Sequence, residues 1–516
     1  MSDVILSSGL KSINYALLFL GCVLFHIAGT WSLPLIDRDE PRFAEASREM
    51  MERGDYIVPY FNNQLRLDKP PLAYWAQTLS YRVFGENDFA ARFPSAVAAA
   101  LIALSLFAWG SQLNEEKLGW WAAIIFSLSL QTFVHAKAAV ADMWLVLFMT
   151  TAHWAGYEVL ARSSSTAARP AVAPYQQMCW WWIFYVSLAL GFLAKGPIAW
   201  TPLLTVLGTM IFMRDRQSVR RFKFILGILL TVILIALWAI PALLRTHGEF
   251  YTIGIGRHVI GRSLATMEGH GANSLLIYLL LLPFYFATVF VSFFPWSIKL
   301  PWLIRTLYEQ RNAGVDGAGY NGRLIDNYLI TGIATIFILF TLISTKLPHY
   351  TLPAFPLLSL LLARHWQAQP FFQALRSTTP TRRPRFSTIA VTIACVWVAI
   401  TLIVSPMVAR FFAGYELLQQ SRGSLRPDMQ FASVDFGEPS LVWYFRSRVE
   451  GFLTPLNKRR AAEFMAKPGP RFTVLPTPLA GPVFANPPQN WQFFTTSGFN
   501  IAKGKRVDLT LVLKPE

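Results

Sequence analysis

Long apolar runs alternate with short polar segments over residues 1–407 of this 516-residue chain. A helix needs about 20 predominantly apolar residues to cross the hydrocarbon core of a bilayer. The pattern predicts eleven membrane-spanning helices, near residues 13–33, 89–110, 118–134, 143–160, 178–194, 197–213, 222–241, 273–295, 328–345, 350–365 and 387–407. An odd number of crossings places the two ends of the chain on opposite sides of the membrane.

The pattern changes in residues 408–516, where the apolar runs shorten to the length of strands. Between these runs, two segments keep the helical spacing of apolar residues. We therefore expect a polytopic α-helical membrane domain at 1–407, followed by a small soluble α/β domain at 408–516. The predicted strands lie near 429–436, 472–475, 491–495 and 507–513, and the predicted helices near 439–445 and 459–465.

Charge gives the predicted spans an orientation. The composition, 54% hydrophobic and 15% charged with a net charge of +17, is typical of a membrane protein. Basic residues gather in the loops at 214–223 and 376–385, and such loops stay cytoplasmic. The N-terminus is then cytoplasmic, and the loops 34–88 and 242–272 and the C-terminal domain are extracytoplasmic. Because the basic residues are spread over several loops, they indicate contact with membrane lipids and no nucleic-acid partner.

The loop 34–88 carries most of the polar chemistry. Pro41 suits the start of a helix, Gly54 suits its C-terminal end, and the apolar residues between them keep helical spacing. We expect a short amphipathic helix on the membrane surface, with Asp39 just before its N-terminus, where the helix dipole favours a carboxylate. A second interfacial helix is expected at 72–84.

Several carboxylates map to the extracytoplasmic side. A membrane protein keeps such groups only where water, protein or a ligand satisfies them. A carboxylate there could accept a proton from an acceptor hydroxyl or hold a metal, whereas helix capping and ordinary solvation are the alternative. Their gathering on one face favours a catalytic site formed from Asp37, Asp39, Glu40, Asp68 and Asp142.

Cationic side chains map to the same face. Lys195 and Lys346 lie in turns between spans that are too short to need a lysine for solubility. Several cations at the membrane interface predict a bound phosphate or pyrophosphate, and the alternative is snorkelling of long side chains at helix ends. The candidate phosphate ligands are Arg42, Lys69, Lys195, Arg257, Arg262 and Lys346.

A divalent metal is the one cofactor that the sequence leaves open. The histidines of the extracytoplasmic segments could bind such an ion together with a carboxylate. No pair of them has a close ligand spacing, so the sequence does not require a cofactor. The candidate ligands are Asp68, His258 and His349.

Five motifs of this chain resemble one family of enzymes. They are Asp39-Glu40-Pro41-Arg42-Phe43-Ala44-Glu45, Gly54-Asp55-Tyr56, Asp68-Lys69-Pro70-Pro71-Leu72-Ala73-Tyr74-Trp75, Leu193-Ala194-Lys195-Gly196-Pro197 and Lys346-Leu347-Pro348-His349-Tyr350. The set is similar to that of the polyprenyl-phosphate-dependent membrane glycosyltransferases with the C-type fold. Within these it most resembles the bacterial aminoarabinose lipid A transferases, which are related to protein O-mannosyltransferases.

The resemblance implies roles for single residues. Asp39 would meet the acceptor with Arg42 beside it, and Asp142 would be the second acid of the site. Lys69 would hold the lipid phosphate with help from Tyr350. Asp68 stands where the aminoarabinose transferases typically have a glutamate that can contact a metal. The family usually has thirteen spans, so the resemblance implies about 11–13 transmembrane helices here.

The implied reaction is an inverting transfer of a sugar from a polyprenyl-phosphate donor to an envelope acceptor. Lipid A and 4-amino-4-deoxy-L-arabinose, or a related sugar, are the acceptor and sugar that the resemblance favours, on the periplasmic face of the bacterial inner membrane. A protein or another glycan as acceptor, a flippase for lipid-linked sugar, and a non-catalytic envelope assembly protein are the alternatives. A transporter would place charges or broken helices at the membrane midplane, whereas the charges here gather at one face.

Overall fold

The structure is a computed structural model that describes residues 2–113, 115–161, 174–215, 218–261, 274–312, 319–367, 386–501 and 503–516. Its first part is built from helices: α1 (Ser2–Ile27), α2 (Asp39–Arg53), α3 (Leu72–Phe84), α4 (Asp88–Leu113), α5 (Glu116–Leu128), α6 (Leu130–His135), α7 (Asp142–Ala161), α8 (Pro174–Lys195), α9 (Thr201–Met213), α10 (Ser218–Phe222), α11 (Phe224–Arg245), α12 (Leu275–Leu280), α13 (Phe284–Ser292), α14 (Leu300–Asn312), α15 (Gly319–Leu342), α16 (Phe355–Gln367) and α17 (Phe386–Ala409). Shorter elements join them: the strands β1 (Tyr60–Phe61) and β2 (Gln64–Leu65), 3₁₀ turns at Pro197–Trp200, Trp296–Lys299 and Pro348–Ala354, and a π-helix at Phe250–Gly261.

The described helices include several that are long and apolar enough to cross a membrane, and the protein is a multi-pass membrane protein. Five qualify by length and composition: Asp88–Leu113, Met178–Lys195, Ser218–Arg245, Gly322–Leu342 and Phe386–Ala409. A sixth would be the pair Phe284–Ser292 and Trp296–Asn312, which is bent by 119°. Other predicted spans are shorter or interrupted; the run 118–134, for example, breaks at the extended residue Ser129 between α5 and α6. The number of eleven spans stays a prediction.

Small residues let the membrane helices approach closely. A Cβ added to Gly110 of α4 would lie 2.7 Å from the Cα of Gly119 in α5, so the two backbones touch at this point. Such contacts are a usual way for helices to pack in a bilayer, where burial of apolar surface between helices brings little. One continuous core results, and it includes residues of α4, α5, α7, α8, α15 and α16.

The C-terminal part is an α/β domain, as expected from the sequence. It contains α18 (Ala413–Ser421), β3 (Gln430–Val434), α19 (Pro439–Arg446), β4 (Thr454–Leu456), α20 (Lys458–Ala466), β5 (Arg471–Pro476), α21 (Thr477–Val483), β6 (Gln492–Asn500) and β7 (Lys505–Lys514). The sheet order is β4-β3-β5-β7-β6, with β3 parallel to β4 and β5, and β7 antiparallel to β5 and β6. Strand β4 was not predicted, because three residues with a proline in the middle give no strand pattern. The predicted boundary at 407/408 falls in the last turn of α17 and stays a prediction.

The two faces of this sheet pack into different hydrophobic cores. Alternate residues of a strand point to opposite faces. Ala432 and Val434 pack with α20 in one core, whereas Phe431 and Phe472 belong to a second core. That second core also contains residues of the loop 34–88 and of α4: Leu35, Ala44, Tyr81, Ala90 and Ala91. The C-terminal domain is therefore packed directly on the polar loop that carries the candidate acids.

Helix α2 differs from its prediction in two respects. It starts at Asp39, which is the first helical residue and not the residue before the helix; Gly54 ends it with a left-handed φ of 64°. It is also buried over most of its surface and does not lie open on the membrane, since α3 and α19 both pack against it. Helix α3, at Leu72–Phe84, confirms the second predicted helix.

Candidate active site

A cavity of about 680 Å³ opens between the membrane helices and contains five of the predicted site residues. These are Lys69, Asp142, Lys195, His349 and Tyr350. The rest of its wall is mostly apolar: Leu145, Val146, Pro197, Ile198, Trp200, Thr201, Leu203, Leu204, Leu339, Phe340, Leu342, Ile343 and Pro353. A cavity with an apolar wall and a few charged groups suits a ligand that is part lipid and part anion.

An ion pair between two helix ends forms the charged centre of this cavity. Asp142 begins α7, Lys195 ends α8, and Lys195 Nζ donates to Asp142 Oδ1 at 2.5 Å. The chain leaves α8 through Gly196, whose φ of 85° and ψ of −158° lie in a region that only glycine occupies readily. This turn ends the helix at Lys195 and allows its side chain to reach the neighbouring helix.

Two histidines complete the surroundings of Asp142. His349 Nε2 lies 4.0 Å from Asp142 Oδ1, and the rings of His135 and His349 are 5.1 Å apart. Burial lowers the pKa of His349 to about 3, so its imidazole is neutral at physiological pH. His135 was not predicted as a site residue, although it ends an apolar run seven residues before Asp142. This position, on the same predicted membrane face as Asp142, is the sequence signal that could have identified His135 as a site residue.

Among the residues that the structure describes, these side chains are the candidate ligands of a metal ion. One ligand atom from each of His135, Asp142 and His349 lies within 4.8 Å of the others. The ammonium of Lys195 already neutralises the carboxylate of this set, and a divalent ion would have to displace it. The residues therefore fit a protein-only charge pair better than a resident metal.

Asp68 and His349 are the two predicted metal ligands whose side chains the structure describes, and they do not belong to one cluster. Asp68 accepts from Arg66 Nη2 at 3.3 Å, and Arg66 Nε donates to the hydroxyl of Tyr74 at 2.8 Å. The carboxylate of Asp68 is thus committed to an arginine. The side chain of His258 lies outside the described part of the chain. Of the predicted ligands with described side chains, His349 belongs to the cluster with His135 and Asp142, and Asp68 does not.

Asp39 lies outside the wall of the cavity, at the solvent-exposed start of α2. Its charge is close enough to interact with Arg66 and with Tyr74. Burial raises the pKa of Tyr74 well above its usual value, so that its hydroxyl stays protonated. Asp39 is therefore exposed to solvent and separate from the mostly apolar wall of the cavity.

Glu40 does not have the surroundings of a catalytic acid. Its Oε1 accepts from Arg92 Nε at 2.9 Å and from the Ala139 amide at 2.7 Å. Its Oε2 accepts from Arg92 Nη2 at 2.7 Å and from the Ile36 amide at 2.7 Å. Both oxygens accept hydrogen bonds within a buried ion pair that joins α2 to α4, and a catalytic role for Glu40 stays a prediction.

Two of the remaining predicted cations, Lys346 and Arg42, do not line the cavity. Lys346 Nζ donates to the carbonyls of Phe340 and Thr341 at 3.1 and 2.6 Å, which caps the C-terminal end of α15. It is buried there and does not line the cavity, and its role as a phosphate ligand stays a prediction. Arg42 is half-buried in α2, where its charge faces Asp37. Arg262 and the side chain of Arg257 lie outside the described residues.

Comparisons with known proteins agree with this architecture. The family model for dolichyl-phosphate-mannose-protein mannosyltransferases matches residues 68–240. The undecaprenyl phosphate-α-4-amino-4-deoxy-L-arabinose arabinosyl transferase of Aeromonas hydrophila is 29% identical over 345 residues, which cover 66% of this chain and 58% of the relative. A second such transferase, from Sodalis glossinidius, is 30% identical over 350 residues with the same coverage. The chain thus matches less than two thirds of the length of these relatives.

Solved structures extend the likeness to nearly the whole chain. ArnT from Cupriavidus metallidurans bound to undecaprenyl phosphate has a TM-score of 0.69 at 18% identity, and the match covers 96% of this chain and 98% of that one. The archaeal oligosaccharyltransferase AglB from Archaeoglobus fulgidus has a TM-score of 0.52 at 11% identity, over 90% and 70% of the two chains. The chain therefore has the C-type fold of the polyprenyl-phosphate-dependent membrane glycosyltransferases and is related to the aminoarabinose transferases and the protein O-mannosyltransferases.

Proposed function

We propose that this protein transfers a sugar, with inversion, from a polyprenyl-phosphate donor to an envelope acceptor on the periplasmic face of the inner membrane. The cavity carries this proposal, because it joins a long apolar wall to Lys69, Lys195 and Tyr350. Its formal charge from Lys69, Lys195 and Asp142 is positive by one, and the neutral His349 does not change it. Such a site favours a lipid phosphate over an uncharged lipid.

In the proposed reaction the acceptor oxygen forms a bond with the anomeric carbon while the bond from that carbon to the donor phosphate breaks. The bonding electrons leave with the phosphate, whose growing charge Lys69 and Lys195 stabilise. Asp142 holds Lys195 in place through the 2.5 Å contact. Attack from the face opposite the phosphate inverts the configuration of the sugar.

Asp39 is the proposed group that meets the acceptor. Asp39 is the first residue of α2, and its carboxylate accepts a proton from a hydroxyl acceptor. A phosphate acceptor brings no proton of that kind, and Asp39 then orients it through a bridging cation or water. Lipid A and 4-amino-4-deoxy-L-arabinose are the proposed acceptor and sugar, on the strength of the relatives' names.

The proposal also includes the orientation of the protein in the membrane and the boundary between its two domains. Residues 1–407 form the proposed transferase domain and 408–516 the periplasmic domain, with the N-terminus in the cytoplasm. The packing of the C-terminal domain on the loop 34–88 supports a shared face for both. Arg42 and Arg262 keep their proposed roles near the donor phosphate on the basis of the sequence alone.

Mass spectrometry of lipid A and envelope glycans tests the proposal in cells. We expect a lipid A species heavier by one sugar with the wild-type chain, and its absence with Lys69→Ala. The added mass identifies the sugar. If a protein or another glycan carries the sugar instead of lipid A, the proposed acceptor is wrong, whereas the proposed transferase activity still holds. Lipid-linked sugar that reaches the periplasm but stays on its lipid would mean a flippase.

A further inference from the structure

We infer that α19 of the C-terminal domain is a positioning element of the candidate active site, which holds α2, and with it Asp39, through buried contacts centred on Arg446. This inference deepens the proposed function and rests on it. Asp39 is exposed and begins α2, so its place relative to the cavity depends on what fixes that helix. Helices α3 and α19 both pack against α2.

Arg446 is the centre of these contacts. Its Nη1 pairs with Glu45 Oε1, its Nη2 lies 2.7 Å from Glu52 Oε2, and only 4% of its side chain is exposed. The other oxygen of Glu45 pairs with Arg48 Nη1 at 2.7 Å. The fully buried carboxylate of Glu45 thus lies between an arginine of its own helix and an arginine of the other domain.

Arg48 extends the same junction toward the C-terminal domain. Its Nη1 also donates to the carbonyl of Trp443 at 3.0 Å, and its guanidinium lies 3.9 Å from the centre of the Trp443 ring. Trp443 Nε1 in turn donates to Asp88 at 2.7 Å, at the start of α4. A charge buried in this way is strongly destabilising when one partner is removed, so the junction acts as a unit.

A second set of contacts fixes the segment just before Asp39. Asp37 accepts from the Ser440 amide at 2.9 Å and from its hydroxyl at 2.6 Å. The Leu35 amide donates to the hydroxyl of Tyr444 at 2.7 Å, and Arg38 pairs with Glu438 at 3.3 Å. Residues 35, 37 and 38 are therefore all bound to the C-terminal domain.

The two sets lie on either side of Asp39 along the chain. Glu45 is six residues further on in the same helix, so a displacement of α2 at Glu45 moves Asp39 as well. Displacement of a reacting group by about 1 Å can cost a hundredfold in rate. Arg446 does not line the donor cavity, so its loss should affect turnover and leave donor binding intact.

The test compares Arg446→Gln with the matched control Arg448→Gln in the full chain, reconstituted in nanodiscs. Arg448 is a solvent-exposed arginine two residues after Arg446. Three quantities are measured: hydrogen exchange of the amides of α2, the turnover of sugar transfer, and the affinity for undecaprenyl phosphate. For Arg446→Gln we expect exchange at least tenfold faster, turnover at least tenfold lower, and affinity within twofold of wild type. Arg448→Gln should match wild type, and Arg446→Lys should recover part of the loss.

Two results would overturn the inference: unchanged exchange of α2 in Arg446→Gln, or faster exchange with unchanged turnover. If Arg446→Gln loses lipid binding because it misfolds, Ser440→Ala undergoes the same measurements, since it removes only the hydroxyl contact with Asp37. A wild-type protein that transfers no sugar would overturn the proposed function. Hydrogen exchange would then decide whether α19 holds α2.

Discussion

The cavity and the exposed start of α2 carry charges of opposite sign. Inside the cavity, the cations Lys69 and Lys195 exceed the one carboxylate, Asp142. At the start of α2, the exposed Asp39 offers a negative charge to the aqueous side. In the proposed reaction the donor phosphate binds in the cavity and the acceptor meets Asp39, so the anomeric carbon has to lie between these two places.

Loss of a cavity lysine should weaken donor binding, whereas loss of a buried lysine elsewhere should weaken the fold. Lys69→Ala is expected to lower the affinity for undecaprenyl phosphate by about 10–100-fold, because a hydrogen bond to a charged group is worth about 1.5–3 kcal/mol. Lys346→Gln should leave the affinity within about twofold but lower the melting temperature, since it uncaps α15. Binding measured in nanodiscs and melting in detergent separate the two. Equal effects of both variants on affinity would refute the distinction.

The adjacent acids should also behave differently. Asp39→Asn is expected to lower transfer by about a hundredfold or more at unchanged melting temperature, which is the usual scale for a positioned acid–base group. Glu40→Gln should lower the melting temperature, because it leaves Arg92 buried beside a neutral amide. Transfer rates and melting curves of both variants check this. An Asp39→Asn protein with transfer within twofold of wild type would remove Asp39 from the mechanism.

At the scale of elements, α19 binds the loop before α2 through a carboxyl group that is sensitive to pH. Burial raises the pKa of Asp37 to about 6, against the opposing effect of its hydrogen bonds from Ser440. Glu438 raises it further, and Arg42 lowers it. The folded protein therefore keeps a proton on Asp37 that the unfolded chain has already lost near pH 4.

This contribution to stability should fall as the pH rises. Between about pH 4 and 6 the folded state binds more protons than the unfolded state, so the free energy of unfolding decreases with pH and levels off above 6. Relative to Asp37→Asn, which does not titrate, the wild type should lose on the order of 1 kcal/mol from pH 4 to 7. Melting curves of both proteins at several pH values measure the difference. A difference that stays constant with pH would contradict the raised pKa.

Elements with long or regular patterns could be predicted, and those decided by tertiary contacts could not. Helix α3 and the four longer strands follow from apolar periodicity, and the start of α2 was missed by two residues. Strand β4 has three residues and forms only because β3 supplies its partner. The burial of α2 was missed because its second partner, α19, lies some 400 residues further along the chain.

The candidate site was predictable to the extent that its residues sit at predicted turns. Lys69, Asp142, Lys195, His349 and Tyr350 were predicted and line one cavity. Lys346 has the same sequence context as Lys195, yet only the fold decides that one caps a helix and the other reaches Asp142. In the sequence, Glu40 cannot be distinguished from its neighbour Asp39. Only the fold places Arg92, which is 52 residues away, against Glu40.

For the whole molecule, every site assignment requires one shared membrane face. The loop 34–88, the turns at Lys195 and Lys346 and the C-terminal domain should all be periplasmic, because the basic loops at 214–223 and 376–385 are expected to stay in the cytoplasm. A reporter that fluoresces only in the cytoplasm should be dark when fused after Glu516 and bright when inserted near Arg216. A bright signal after Glu516 would place the tail and the packed loop in the cytoplasm and exclude a periplasmic reaction.

The most direct measurement of the central claim is transfer by the purified protein in nanodiscs from a donor labelled in its sugar. The donor is undecaprenyl phosphate that carries aminoarabinose, and the acceptor is lipid A. We predict that the label moves to lipid A with the wild-type protein, that unlabelled undecaprenyl phosphate is released in equal amount, and that Asp39→Asn and Lys69→Ala each lower the transfer by about tenfold or more. Label that stays on the donor lipid with the folded wild-type protein, for lipid A and for protein and glycan acceptors alike, would contradict the assignment as a glycosyltransferase.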